Sequence, residues 1–354
     1  MGGVTTESEM GGMGCPSKAQ ELSKNRCSFV LGPFRPGFIF AGILIFSQLL
    51  SGCFLIMRKW LLCPVFLLLI GCATGYLVQG PIKVDIEEAS RTTIRGETIS
   101  YALYVPRLET NGYERMPAVI LLHGFQRHYR FHRNNALYMA QRGIVVLTPN
   151  MTDLWLGPSA QRHNVRIAAD HVAWLAKRSL SEGDLLSHRI EPLCIGMAGH
   201  SAGGAVAFEA VARSQKDSFP AQAVCLLDAV PWDRTLSLAR RFKPMPLCSL
   251  RSDPSPFNRL GRVQRLLERL SFPVEDIWIR GASHSDPENP TSTFVQLLAG
   301  VSHPEHQAVY QKLMYLFFED AFGIKSKDPF LPSYRDVVRE LSEQGQIVVE
   351  PVSR

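Results

Sequence analysis

In the stretch GHSAGG, residues 199–204, Ser201 stands among small residues, after an apolar run ending at Ala198 and before a helix-forming run. A serine hydroxyl is a weak nucleophile by itself. It becomes a useful one when an imidazole takes its proton and N–H groups receive the charge that its attack creates. G-x-S-x-G between a strand and a helix meets the geometric side of that demand. The turn must be so sharp that side chains beside the serine would clash, which accounts for Gly199 and Gly203. It pushes Ser201 Oγ out beyond the sheet edge. The helix that follows aims its N-terminus, with its partial positive charge, at the same place.

The partners are sought elsewhere in the chain. The base is expected after the last strand, in the order Ser, Asp, His, and His284 in GASHSD fits. His303 and His306 precede or begin the last helix, and His128, His132, His163, His171 and His188 all come before the serine. His123 reads as a loop-bracing residue. Two acids compete to orient His284. Asp228 emerges from the apolar run AVCLL, where a buried carboxylate needs partners. Asp253 follows the next strand in SDPSP, a setting that also suits a solvated turn aspartate. Asp286 and Asp233 are lesser candidates. For the oxyanion, the backbone N–H groups of Ala202 and of Phe125, in the loop HGF after AVILL, are the expected donors.

These residues need a scaffold that brings strand ends together. From residue 82 onward strands and helices alternate. Residues 83–88 and 98–105 suit an antiparallel pair. Runs at 118–122, 143–148, 193–198, 221–227, 245–250 and 274–280 read as strands buried on both faces. Helices are expected at 135–142, 165–178, 205–214, 262–270 and 305–322, with one helix and a tail in 332–354. Such alternation predicts an α/β fold: a mostly parallel sheet with helices on both faces, and a site at the carboxyl ends of the strands. No large insertion separates the strands, so the site is expected to be open under at most a short lid. The basic stretch 126–133 reads as a solvated loop and helix start, with an anion grip as the alternative. Trp155 and Trp232 are candidates for the pocket rim or for ordinary packing.

HGF at 123–125, AGHSAGG at 198–204, LLDAVPWD at 226–233 and GASHSDPENP at 281–290 resemble the α/β-hydrolase superfamily, over roughly residues 82–322. Within it the likeness is to chlorophyllase-like and dienelactone-hydrolase-like serine esterases. The resemblance implies an α/β-hydrolase fold, hydrolysis of carboxylic esters through an acyl-enzyme, and no cofactor or metal. In chlorophyllase-like enzymes the acid comes from the LD ending the strand after the nucleophile helix, which tips the choice to Asp228. Polyester-hydrolase and cutinase-like enzymes would place it at Asp253. Plant chlorophyllases often carry Arg after the serine; here it is Ala202, so chlorophyll itself is not implied as substrate.

The N-terminal region reads differently. Residues 38–57 are almost wholly apolar. Met57, the basic pair Arg58 and Lys59, an apolar run and then LIGC resemble a bacterial lipoprotein signal with its lipobox. The expected division is a superfluous or extra hydrophobic segment at 1–56, a signal peptide at 57–71, a tether at 72–81 and the hydrolase domain at 82–354. Cys72 is the expected lipidation site, with Cys53 in LSGC as the alternative. Acyl chains there would anchor the chain outside the cytoplasm, on the outer membrane in a diderm organism. Half of the net charge of +6 lies in this region. Residues 1–71 hold six of the 38 Lys/Arg and three of the 32 Asp/Glu, leaving a net +3 beyond them. That is too mild to suggest nucleic acid as a partner. A small-molecule or lipid ester is the expected substrate. A non-catalytic binding lipoprotein on the same fold and an acyltransferase with the same triad are the alternative functions.

Overall fold

The computed structural model describes residues 81–93, 96–107, 115–152, 157–324 and 332–352. Cys53, Cys72 and Trp155 lie outside them, as does the whole signal-like region. One nine-stranded sheet runs through the described chain in the order β1-β2-β4-β3-β5-β6-β7-β8-β9. The strands are β1 Val84–Thr92, β2 Thr98–Pro106, β3 Met116–Leu122, β4 Val145–Pro149, β5 Ile190–His200, β6 Ala223–Leu227, β7 Leu247–Arg251, β8 Glu275–Ile279 and β9 Ile347–Pro351. From β4 through β8 all neighbours are parallel. β2 is antiparallel to both β1 and β4, and β9 is antiparallel to β8.

The alternation of side chains along each strand divides the core into two layers. In β3, Ala118, Ile120 and Leu122 face one cluster while Val119 and Leu121 face the other. In β6, Val224 and Leu226 alternate in the same way with Ala223, Cys225 and Leu227. The first layer is covered by α2 Pro158–Ser179, α3 Ala202–Ser214, α4 Asp233–Ala239 and α5 Val263–Leu267. The second is covered by α1 Arg133–Ala140, α7 Pro304–Ala321 and α8 Tyr334–Glu343. One further helix, α6 Thr293–Ala299, buries no residue. Among the described residues no helix is long and apolar enough to cross a membrane.

Several elements depart from the sequence reading: α4 and α6 lie where no helix is expected, and α2, α3 and β9 differ in extent or kind. α2 begins at Pro158, a full two turns before the expected start, with proline in its first turn. Its polar opening hides the periodicity, because Gln161 and Asn164 are buried by bonding rather than by hydrophobicity. Gln161 Nε2 donates to Glu209 and Thr235, and Asn164 Oδ1 accepts from the Thr152 N–H. α3 begins at Ala202, with Gly203 and Gly204 inside its first turn. The expected C-terminal tail is instead an edge strand, β9, in register with β8 from Glu275↔Pro351 to Ile279↔Ile347.

Candidate active site

β5 ends at His200, and Ser201 follows with φ 54° and ψ −121°, a backbone conformation that costs energy for any residue with a Cβ. The surroundings hold it there. The Ser201 N–H donates to Leu227 O at 3.0 Å, and the Ser201 carbonyl accepts from Val230 N at 2.9 Å. A Cβ on Gly199 would lie 2.3 Å from Gly203 O, and one on Gly203 would lie 2.3 Å from His123 O. The elbow therefore packs directly on the loop after β3. Gly204 meets the same limit against Ala229.

His284 lies in the loop after β8. Its Nε2 is 3.0 Å from Ser201 Oγ, and its Nδ1 is 2.5 Å from Asp228 Oδ2. This bonding assigns the proton to Nδ1 and leaves Nε2 to accept from the serine hydroxyl. Asp228 sits one residue beyond β6 and is wholly buried, also at positive φ. Burial works to raise its pKa. The hydrogen bond and charge of His284, with the hydroxyl and N–H of Ser252, outweigh it and the pKa is lowered. Ser252 Oγ donates to Oδ2 at 2.6 Å, and the Ser252 N–H to Oδ1 at 3.1 Å. Asn258 Nδ2 lies 3.3 Å from both oxygens.

Asp253, the alternative acid, is turned elsewhere. Its Oδ1 accepts from Trp278 Nε1 at 2.7 Å and from the Gly281 N–H at 3.2 Å. Asp286 accepts from the backbone N–H groups of Ser283 and His303, at 2.6 Å each. Asp233 is exposed and pairs with Arg262. His123 is buried, with Nδ1 donating to Gly124 O and Nε2 accepting from the Met151 N–H. Burial lowers its pKa to about 4, so it braces the loop as a neutral ring.

Phe125 and Ala202 line the same cavity of about 420 Å³ as Ser201 and His284, together with Trp232. A Cβ at Gly124 would lie 3.3 Å from that of Ser201, which sets the loop of Phe125 beside the serine. The cavity opens at the carboxyl ends of the strands, as open parallel sheets dictate.

Behind His284 lies a second set of residues, of which only Arg127, in the basic stretch 126–133, stands out from sequence. His200 Nε2 donates to the His284 carbonyl at 2.8 Å, and its Nδ1 faces Glu288 Oε1 at 3.4 Å. Arg127 grips Glu288 with two bonds, Nε to Oε1 at 2.7 Å and Nη2 to Oε2 at 2.6 Å. Arg127 is thus committed to a buried carboxylate, and the 126–133 stretch is not simply solvated. Burial acts to raise the Glu288 pKa, but the bonds and charges of His200 and Arg127 prevail and bring it to about 2. His200 occupies the variable position of the G-x-S-x-G motif and Glu288 lies in DPENP. Their only sequence signal is adjacency to Ser201 and His284.

The sheet order, with its parallel strands crossed by helices on both faces, is that of the α/β-hydrolase fold. A model of the chlorophyllase family matches residues 74–244, a little under half of the chain. A ferulic acid esterase from Streptomyces cinnamoneus superposes with a TM-score of 0.52 at 16% identity, covering 77% of this chain and 97% of its own. A dienelactone hydrolase from Anabaena variabilis superposes with a TM-score of 0.50 at 17% identity, covering 67% of this chain and 98% of its own. At such identities the likeness to these two is one of fold. No curated protein matches the sequence.

Proposed function

We propose that this chain is a serine hydrolase of carboxylic esters. The observation that carries the reading is the hydrogen-bonded series Ser201 Oγ, His284 and Asp228, set at the wall of a cavity. In this mechanism His284 Nε2 takes the hydroxyl proton as Ser201 attacks the ester carbonyl. Asp228 holds the ring and stabilises the imidazolium. The N–H groups of Phe125 and Ala202 receive the oxyanion. His284 returns the proton to the leaving alcohol, and water then releases the acid from Ser201 by the same steps in reverse order of partners. The same reading takes Cys72, or alternatively Cys53, as the lipidated residue that anchors the enzyme outside the cytoplasm.

One mass-spectrometric experiment addresses both halves. The full-length chain, isolated from the cells that make it, is treated with a fluorophosphonate and digested. A single adduct on Ser201, absent from a Ser201→Ala protein that still folds, is the expected result. A folded wild-type protein with no adduct would remove the serine-hydrolase reading. The N-terminal peptide of the same digest should carry a diacylglyceryl mass on Cys72, and an unmodified start at Met1 would remove the anchor.

A further inference from the structure

The mouth of the cavity is apolar on both sides. On one side lies α6, with Phe294, Leu297 and Leu298 exposed by 69%, 81% and 51%, followed by Val301 at 58%. On the other is the loop after β7, with Phe257 at 45% and Leu260 at 72%. Eleven large hydrophobic side chains are exposed among the described residues; of these six, Phe257, Phe294 and Leu298 line the cavity, and Leu260, Leu297 and Val301 lie within three residues of them in the chain. The other five are spread over β1, β9 and the region around the end of α2 and the start of β5. Exposed apolar side chains scattered singly need no explanation, whereas a contiguous collar does.

α6 is an ordered element, since Ser292 caps it by accepting from the Val295 N–H. Yet residues 289–302 contain no Asp, Glu, Lys or Arg. A surface helix ordinarily turns a charged face to water, and this one turns leucines and a phenylalanine. Phe257, Phe294 and Leu298 also line the cavity, so the collar continues into the pocket wall. Arg259 stands at the mouth as well and makes no ion pair among the described residues. Arg259 and Leu260 both take positive φ, 51° and 55°, in the turn that presents them.

We infer that this collar docks the mouth of the pocket onto a lipid surface, with the six apolar side chains entering the acyl boundary and Arg259 meeting an anionic headgroup. A partner protein or a second copy seated on the collar would cover the opening that substrate must use. A lipid surface instead delivers an acyl ester to it. The uncharged α6 segment gives a protein partner no ionic handle, while an apolar face with a cationic margin is the pattern that adsorbs to anionic bilayers. The substrate class that follows, acyl esters held in a lipid phase, rests on the ester-hydrolase reading of the same site; the docking does not.

The test uses the full-length Ser201→Ala chain, so that no turnover occurs, with vesicles of equal parts phosphatidylcholine and phosphatidylglycerol. Amide hydrogen exchange in residues 293–301 should slow by about tenfold when vesicles are added. Unchanged exchange there while the protein sediments with the vesicles would mean that other segments do the binding, and would overturn the inference. Protection that appears without vesicles and grows with protein concentration would assign the collar to a second copy and overturn it equally. In the otherwise wild-type chain, Leu260→Ser with Leu297→Ser, neither of which lines the cavity, should lower hydrolysis of a vesicle-embedded acyl ester by about tenfold or more. The same double variant should leave kcat/KM for a soluble p-nitrophenyl ester unchanged. Equal loss on both substrates counts against docking. Vesicle-dependent protection in a chain that hydrolyses no ester would uphold the docking and sink the ester reading alone.

Discussion

Asp228 and Asp253 end neighbouring strands, and the atoms around each carboxylate give them different work. Asp228 is buried against His284 Nδ1, Ser252 and Asn258. Asp253 holds Trp278 Nε1 and the Gly281 N–H, the start of the loop that carries His284. Asn at 228 would offer His284 Nδ1 an amide in place of a carboxylate. That favours the wrong tautomer and withdraws the charge that stabilises the imidazolium. Asp228→Asn is therefore expected to lower kcat on a soluble ester by about 10³–10⁴-fold with little change in KM. Asn at 253 keeps an oxygen for both of its donors, and Asp253→Asn should stay within about tenfold of wild type. Steady-state kinetics on the two purified variants decide it. The reverse ranking would move the acid to Asp253 and give Asp228 a purely structural role.

The elements matter because the serine's position is set by close approach of backbone, not by side-chain contacts. β5, α3 and the loop after β3 meet at Gly199 and Gly203, where a Cβ would strike main-chain atoms at 2.3 Å. Gly196, earlier in β5, is different, since a Cβ there would meet the ring of Phe318 in α7, which can shift. Gly203→Ala must push away the loop of His123 to Phe125. It is expected to cost about 1–3 kcal/mol in urea unfolding and also to depress activity in the fraction that remains folded. Gly196→Ala should cost stability alone. Equal activity per folded molecule in both variants would show that the 123–125 loop takes no part in the reaction. The same contacts explain what the sequence disclosed. A glycine-fenced serine and a histidine after the last buried run announce themselves by position, and continuous apolar runs announce the parallel strands. Ser252, Asn258, Glu288 and His200 do not, because each matters only through a neighbour that tertiary folding supplies. The early start of α2 was hidden by buried polar residues, and β9 by its shortness and its place at the sheet edge.

Across the whole molecule, one buried ion pair ties the two sides of the site together. Arg127, after β3, and Glu288, in the loop after β8, are 161 residues apart in sequence. Around them Asn135 Nδ2 donates to Pro287 O at 2.8 Å, and the Asn289 N–H donates to Phe131 O at 2.8 Å. The loop bearing His284 is thus fastened to the segment that follows the oxyanion loop, and among the described residues the Arg127–Glu288 pair is the only salt bridge between the two. The folded pKa of Glu288, about 2, lies below the ordinary value of 4.5. A carboxylate depressed in this way stabilises the fold fully above pH 4.5, and that stabilisation fades as pH falls from 4.5 toward 2. Glu288→Gln leaves Arg127 buried without its counter-charge and should cost about 3 kcal/mol at pH 7. The gap between wild type and variant should narrow as the pH is lowered through that window, because the wild type then loses what the variant lacks already. Urea unfolding of both proteins at neutral pH and at two acidic values measures it. A gap that stays constant would mean that Glu288 acts by shape and hydrogen bonding alone. A narrowing gap, with the variant's activity impaired even where it is fully folded, would show that the charge holding the two loops together also sets the position of His284 through His200.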